Sequence, residues 1–311
     1  MTKKLLNKLL YSYFVLGTVS ALFSQENINI QDPELIVLGI AQDAGAPQIN
    51  CKKECCMQKE STNFVVSLGI ADDKKRFLIE ATPDIGEQIQ LFDQEYPFEQ
   101  SFIDGIFITH AHIGHYSGLM YLGKEAMSAT AIPTYMMPRM YQFMHENGPW
   151  NQLIENKNIH AIQLVEEQRI ELSKNLSIVP FLVPHRDEYS ETVGYKIQGP
   201  NTTVLFIPDI DKWTKWGKSI VKEVKKVDIA LLDATFYDGN DLNGRDMSSI
   251  PHPFVEESFK IFDELTTEEK SKIHFIHFNH TNPLLKKTSN ACKKTLNKGY
   301  KIAHRGMRFK L

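Results

Sequence analysis

The stretch His110-Ala111-His112-Ile113-Gly114-His115 places three histidines within six residues, and the rest of the chain is organised around it. It follows the apolar run 103–109, which is short and rich in β-branched and aromatic residues, as is typical of a buried strand. On an extended backbone His110 and His112 project on one face, whereas His115 can reach a neighbouring position. Imidazole is a common ligand of zinc and similar metals. A polar loop that caps the next helix is the alternative, but three histidines in six residues favour a metal site.

The size and charge of the chain narrow the function classes. Its 311 residues, 42% of them hydrophobic, can bury a full core in one large domain or in two. A net charge of −3 gives no electrostatic case for nucleic acid. Four cysteines in a chain this long do not indicate a disulfide scaffold. We therefore expect a globular protein with a small-molecule substrate and no nucleic-acid partner.

Residues 1–24 are predicted to be a signal peptide. A lysine-rich start precedes the apolar run 9–23, and small residues allow cleavage after Ala21 or Ser24. An uncleaved anchor is the alternative, but the run is short and interrupted by polar residues. We expect an exported protein, periplasmic or secreted, with a single domain over 30–311 and no stable membrane anchor after cleavage.

The rest of the chain alternates between strand and helix patterns. Proline and aspartate in Ala81-Thr82-Pro83-Asp84 suit the first turn of a helix, and 116–127 has helical spacing. Strands are predicted at 34–40, 64–70, 76–80, 103–109, 132–136, 176–183, 203–207, 227–232 and 273–276. This alternation favours a layered α/β domain.

The histidine stretch resembles the HxHxDH signature of the metallo-β-lactamase superfamily, with Gly114 where the family has aspartate. The resemblance extends from about residue 34 to the C-terminus. It is strongest for the coenzyme PQQ synthesis protein B branch, through Gln42-Asp43-Ala44-Gly45, Ala81-Thr82-Pro83-Asp84-Ile85 and Thr281-Asn282-Pro283. It implies an αββα four-layer sandwich, in which two mixed sheets lie face to face and metals bind at one edge.

The resemblance also implies a catalytic metal centre built from residues at strand ends. The matching positions are His110, His112 and His185 for a first metal, His115 and His277 for a second, and Asp209 as the bridge between them. Three nitrogen ligands and one open position are typical of catalytic zinc, and iron or manganese are the alternatives.

Three further aspartates are alternative or additional metal ligands. Asp211 is close enough in sequence to rival Asp209. Because Gly114 removes one anionic ligand, the second site should be weak unless Asp43 or Asp233 supplies a further ligand.

Asp233-Ala234-Thr235 resembles the Glu-Ala-Thr stretch of the transfer-RNA 3′-processing branch and the Asp-Gly-Thr stretch of the protein B branch. Residues 244–247 also resemble the protein B branch. Asp233 is therefore a candidate catalytic residue beside Asp209, and a helix cap is its alternative role.

Cys51, Cys55 and Cys56 fall within six residues and indicate a zinc knuckle that needs a fourth ligand. A Cys51–Cys55 disulfide is the alternative in an exported protein. His280 matches the position that joins three N-terminal cysteines around a structural zinc in a cyclic phosphodiesterase of the carbon–phosphorus lyase pathway. The resemblance thus implies a Cys3His structural zinc, although the cysteine spacing differs from Cys-x-Cys-x-x-Cys.

These features predict an exported hydrolase that uses a metal-bound hydroxide on an ester, phosphodiester or amide. A protein-B-like, iron-dependent oxygenase of a peptide tyrosine is the alternative. The number of histidines retained and the predicted export both argue against it. A non-catalytic metal-binding protein is the third hypothesis, favoured if the second site stays empty.

Overall fold

The computed structural model describes residues 32–57, 62–73, 75–97, 102–186, 188–242, 247 and 250–311. The predicted signal peptide and residues 244–246 lie outside this part of the chain. Its strands form two sheets of seven strands each. Within the described residues, no helix has the length and apolarity needed to cross a membrane.

The first sheet carries the histidine loop. Its strands, from edge to edge, are β14 (Arg308–Lys310), β1 (Glu34–Gly39), β2 (Ser67–Asp72), β3 (Lys75–Ile79), β4 (Gly105–Phe107), β5 (Ile132–Met136) and β6 (Ile159–Gln163). Strands β14 to β3 pair antiparallel, and β3 to β6 pair parallel. The C-terminal ends of β3 and β4 therefore lie side by side at one edge of the sheet.

The second sheet carries the remaining strand-end residues. Its order is β13 (Lys301–Ile302), β12 (Ile273–Ile276), β11 (Ile229–Asp233), β10 (Thr203–Ile207), β9 (Val193–Gln198), β8 (Ser177–Leu182) and β7 (Ile170–Glu171). Strands β10 to β13 are parallel, while β9 runs antiparallel to both β8 and β10. Strands β8, β10, β11 and β12 thus all end at the same edge, where functional side chains can converge.

Helices cover the sheets and connect the strands. The α-helices are α1 (Glu54–Met57), α2 (Ile85–Glu95), α3 (Ile113–Tyr116), α4 (Pro138–Glu146), α5 (Trp150–Glu155), α6 (Ile220–Lys225), α7 (Val255–Ile261), α8 (Thr267–Ser271) and α9 (Asn290–Asn297). Short 3₁₀ helices occur at Ser117–Leu122, Trp213–Lys215 and Pro283–Leu285.

The predicted helix over 116–127 is wrong in its form. The chain makes only the single turn of α3, and the 3₁₀ helix Ser117–Leu122 follows it. A Cβ atom at Gly118 would lie 2.0 Å from the Thr82 carbonyl oxygen, and the Gly118 amide donates to the Ala81 carbonyl. This close backbone contact fixes the segment against the loop after β3, so a longer regular helix cannot form there.

Strands β1 to β4 of the first sheet are largely buried, as their near-continuous apolar sequences require, whereas the edge strands β14 and β6 are partly exposed. Leu35 and Val37 pack between the two sheets, whereas Ile36 and Leu38 pack under the outer helices. This alternation follows from the two-residue period of a strand. The result is the αββα sandwich that the resemblance implied, and the predicted fold class is confirmed.

Candidate metal centre

The first cluster unites His110, His112, His185 and Asp209. The Nε2 atom of His110 lies 2.8 Å from Nδ1 of His112 and 3.3 Å from Oδ2 of Asp209. The Nε2 atom of His185 lies 3.2 Å from Oδ1 of Asp209. The structure therefore places together the four side chains predicted around the first metal.

The second cluster unites Asp43, His115, Asp209 and His277. Nε2 of His115 lies 3.0 Å from Oδ1 of Asp43 and 3.6 Å from Oδ2 of Asp209. Nε2 of His277 lies 3.5 Å from the same Asp43 oxygen and 3.9 Å from Oδ2 of Asp209. Asp209 belongs to both clusters, as a bridging carboxylate would.

Asp211, the rival of Asp209, points elsewhere. Its carboxylate pairs with the Lys215 ammonium at 2.7 Å and caps the Lys212 amide. Asp209, by contrast, is buried among the histidines. Position 209 is thus the one that can serve the centre.

In three of the histidines, the Nδ1 atom belongs to a hydrogen-bond network that includes a buried carboxylate. Thr109 Oγ1 donates to Glu80 Oε1 and lies 2.8 Å from His110 Nδ1, and the same Glu80 oxygen lies 3.1 Å from His115 Nδ1. Thr235 Oγ1 donates to Asp233 Oδ1 and lies 2.8 Å from His277 Nδ1. These networks favour the tautomer that carries hydrogen on Nδ1, which leaves Nε2 free as a ligand.

His112 is oriented the other way, with Nδ1 facing Asp209 and His110. Its Nε2 atom lies 3.7 Å from Glu188 Oε2 and 3.3 Å from Arg186 Nη2, near the solvent. With Nδ1 used as a ligand, Nε2 carries the hydrogen, and Glu188 is the partner that can accept it.

His252 and Glu80 are functional candidates that sequence reasoning missed. Nδ1 of His252 lies 2.9 Å from Asp233 Oδ2 and 3.2 Å from Asp209 Oδ1. The available signals were a histidine between two prolines, Pro251 and Pro253, and an acidic residue at the end of a buried strand. Asp233 therefore pairs with His252, and together with Asp209 and His277 these two residues form a third group of potential metal ligands.

The buried charges of the centre shift one another's pKa values. Burial alone would raise the pKa of Asp209, but the histidines around it, His185 first, hold it well below the usual range. Burial would lower the pKa of His115, but the charges of Glu80 and Asp43 raise it well above normal. Burial also opposes protonation of His277, whose pKa the carboxylates, Asp209 first, nevertheless raise to about 9. The centre is thus a network of carboxylates and imidazoles that holds protons when no cation is bound.

The donor set fits a pair of divalent cations. Four ligand atoms about 2.0–2.1 Å from a tetrahedral zinc lie about 3.3 Å apart, close to most of the separations above. His277 Nε2 and Asp209 Oδ1 are buried and lack a hydrogen-bond partner of good geometry. Such atoms are costly unless a further group binds them.

Strained backbone also occurs at this centre, at two of the eight non-glycine residues with positive φ in the described part of the chain. Glu80 has φ 75° and His277 has φ 65°, in the left-handed region that side chains other than glycine seldom adopt. Strain of this kind persists where the surroundings fix the backbone, and it is frequent at functional sites.

A separate cluster contains Cys51, Cys55, Cys56 and His280, whose ligand atoms all lie within 4.8 Å of one another. All three thiols are free in the structure. A hydrogen bond from Cys56 lowers the pKa of Cys51, and His280 Nδ1 is buried without a partner. The residue types and separations suit tetrahedral zinc.

The chain is similar to known proteins over most of its length. A family profile described as "Beta-lactamase superfamily domain" matches residues 75–275. Coenzyme PQQ synthesis protein B of Methylorubrum extorquens (strain PA1) is 26% identical over 312 aligned residues, which cover 88% of this chain and 98% of that protein.

Two solved structures share the fold. Zinc-bound PqqB from Methylobacterium extorquens superposes with a TM-score of 0.74 at 21% identity, covering 89% of this chain and all of that one (100%). A diphosphatase from the PhnP family superposes with a TM-score of 0.65 at 21% identity, covering 90% of this chain and 97% of that one.

Proposed function

Since the chain belongs to the family described as the Beta-lactamase superfamily domain, we propose that it is an exported hydrolase that uses divalent metals to cleave an ester, a phosphodiester or an amide. The observation that carries this proposal is that three groups of potential metal ligands share Asp209, among them the first and second clusters described above. One cluster could serve a binding protein, but two adjoining clusters with a common carboxylate suit a hydrolytic two-metal centre.

Divalent cations bound in these clusters supply a water nucleophile of lowered pKa and polarise the carbonyl or phosphoryl oxygen of the substrate. The protein's part is to hold and orient the ligands. Glu80 and Thr109 fix the rings of His110 and His115, and Thr235 fixes that of His277. Fixed rings keep their lone pairs directed at the centre, which limits reorganisation during the reaction.

His252 and Asp233 provide a buried pair that can hold a proton beside Asp209. Burial would lower the pKa of His252, but the charges of Asp233 and Asp209 raise it. His252 therefore holds its proton at Nδ1, 2.9 Å from Asp233. We assign to this pair a proton-transfer role beside Asp209 in the reaction.

The candidate substrate cleft lies at the strand end that precedes His185, although none of the metal ligands lines it. A cleft of about 590 Å³ is lined by Val183 and Pro184, the two residues before His185, together with Thr192 and Trp216. Its volume is in the range of small-molecule sites. Lys215, Lys218, Glu166 and Glu191 also line it, so its wall carries both signs of charge.

Zinc is the metal we propose for the Cys3His cluster and for at least one catalytic position, with iron or manganese as alternatives at the centre. The zinc-bound state of PqqB, which shares the fold, supports this choice. Cleavage of residues 1–24 and release into the periplasm or the medium complete the proposal, with no nucleic-acid partner and no lasting membrane anchor.

The test is metal analysis and hydrolysis on the same preparation. Mature protein would be loaded with zinc, manganese or iron and assayed with p-nitrophenyl acetate, bis(p-nitrophenyl) phosphate and an anilide. The control variant is His160→Ala, which removes an exposed histidine of β6 outside every cluster. We expect three metals per chain and metal-dependent cleavage of at least one substrate. Full metal loading with no cleavage of any of the three would contradict the proposal.

A role in coenzyme PQQ synthesis is the second candidate. It is favoured by the 26% identity with a protein of that name. Preferential iron binding without hydrolysis would support it, whereas zinc in the Cys3His cluster alone would indicate a non-catalytic protein.

A further inference from the structure

Gly114 lies against the loop that contains Asp43. A Cβ atom at position 114 would lie 2.4 Å from the Asp43 Cα atom and 2.7 Å from its Cβ atom. Real Cβ atoms do not approach backbone atoms this closely. Any side chain at position 114, even a methyl group, is therefore incompatible with the observed position of Asp43.

Because position 114 has no side chain, the Asp43 carboxylate can reach the second cluster. Its Oδ1 atom lies 3.0 Å from His115 Nε2 and 3.5 Å from His277 Nε2. Both nitrogens are the free ones, because Glu80 and Thr235 hold the opposite nitrogens of these rings. One carboxylate oxygen thus faces the Nε2 atoms of two imidazoles.

We infer that Asp43 is a ligand of the second metal, and that Gly114 is required so that the first loop can bring this carboxylate into the centre. The inference rests on the proposed two-metal function and completes its second site as Asp43, His115, Asp209 and His277. The site would then have two nitrogen and two carboxylate ligands, all of types that zinc accepts. The absence of an acid at position 114 does not leave this site weak, contrary to the expectation from sequence.

The backbone around Asp43 is fixed by the strand exit that carries His277. The Gln42 amide donates to the Phe278 carbonyl at 2.9 Å, and Asn279 Nδ2 donates to Gln42 Oε1 at 2.9 Å. The Gly45 amide closes a turn by donating to the Gln42 carbonyl at 2.8 Å. Two ligands that are distant in sequence are therefore held in register by direct contact between their loops.

An ion pair between Asp43 and a protonated His115 is the competing explanation of the short contact. An ion pair needs no metal, and its loss would leave metal stoichiometry unchanged. A ligand, by contrast, contributes directly to affinity. Even the loss of a group that only orients a ligand typically lowers metal affinity 10–100-fold, so the loss of a ligand should cost about 100-fold or more.

The experiment uses full-length mature protein and calorimetric titration of the metal-free form with Zn²⁺, with circular dichroism to check folding. Asp43→Asn keeps the shape of the side chain and removes its charge. Gly114→Ala alters no ligand, but it should displace the Asp43 loop. Gly86→Ala is the matched control, because no atom lies within 4 Å of the added Cβ there.

We expect Asp43→Asn and Gly114→Ala each to weaken one binding event at the histidine centre by about 100-fold while the other event stays unchanged. Gly86→Ala should bind like the parent protein. If Asp43→Asn folds and binds both metals with parental affinity, the inference is overturned. If Gly114→Ala alone retains parental affinity, position 114 does not control the loop, and the role given to Gly114 is wrong.

The outcome is separable from that of the proposed function. A parent protein that binds two metals at the centre, loses one in Asp43→Asn and hydrolyses nothing would refute the hydrolase proposal and uphold the ligand. If the parent protein is active and Asp43→Asn leaves the metal content unchanged, the hydrolase proposal is upheld and Asp43 is not a ligand.

Discussion

Replacing His280 by alanine should separate the cysteine cluster from the catalytic centre. His280 Nδ1 is buried without a partner and lies in the same cluster as Cys51, Cys55 and Cys56. His277, three residues earlier, lies in the second catalytic cluster instead. The two histidines of one strand exit therefore have different predicted roles.

The expected loss of stability follows from the two distant segments that the cluster connects. It joins the first loop to the exit of β12, more than 200 residues later, so zinc bound there stabilises only the folded chain. A metal present at 100 times its dissociation constant stabilises the folded state by about 2.7 kcal/mol. At about 2–4 °C per kcal/mol for a domain of this general size, His280→Ala should lower Tm by about 5–10 °C.

Catalytic metals should remain in this variant. The loop that carries Asp43 keeps its own hydrogen bonds to Phe278 and Asn279 when the zinc is lost. His277→Ala should show the opposite pattern, with activity lost at small cost in Tm. The measurements are zinc content, Tm and turnover for both variants, with His160→Ala as control.

Two results would refute this reasoning. If His280→Ala abolished turnover while zinc content and Tm stayed at parental values, His280 would belong to the reaction rather than to a structural site. A Cys51–Cys55 or Cys51–Cys56 disulfide in the mature protein, detected by mass spectrometry, would exclude the structural zinc.

Three further outcomes are expected. His112→Ala should abolish hydrolysis while circular dichroism shows a folded protein, because one ligand of the first metal is lost; parental turnover would contradict the assignment. Thr235→Val should weaken the second metal about 10–100-fold in a zinc titration, because His277 Nδ1 loses its acceptor; unchanged affinity would show that Thr235 does not orient the ring. Because the pKa of His277 is raised to about 9 in the metal-free protein, zinc must displace a proton there, so apparent affinity should rise up to about pH 9; a titration that is flat between pH 7 and pH 9 would contradict this.

Most strand positions could be predicted from sequence because buried strands have a strong local signal. Residues 132–136, 203–207 and 273–276 form β5, β10 and β12 with the predicted bounds. The order of the strands within the two sheets depends on contacts between distant segments, which local patterns do not contain. Likewise, helical spacing over 116–127 gave no sign of the backbone contact at Gly118.

In the candidate site, too, local features could be predicted from sequence and contacts between distant segments could not. His110, His112 and His115 are adjacent in sequence, so their clustering was visible at once. From sequence, Asp43 and Asp233 were both available as the further ligand. The choice between them could not be made, because nothing local shows that the Asp43 loop fits against Gly114. His252 has no neighbouring histidine and follows no predicted strand directly, so only the folded chain places it beside Asp233.

The metal centre also combines several features that are energetically costly to the fold. Asp209, Asp233 and Glu80 are buried carboxylates, and burying a charge is expensive unless it is paired. Glu80 and His277 add strained backbone at the same edge. In the metal-free chain, protonated histidines offset the negative charge, which requires the raised pKa values of His115 and His277. Divalent cations would replace those protons with larger positive charges at the unpaired nitrogen and oxygen atoms. Metal binding should therefore stabilise this edge of the sandwich as well as make the chemistry available.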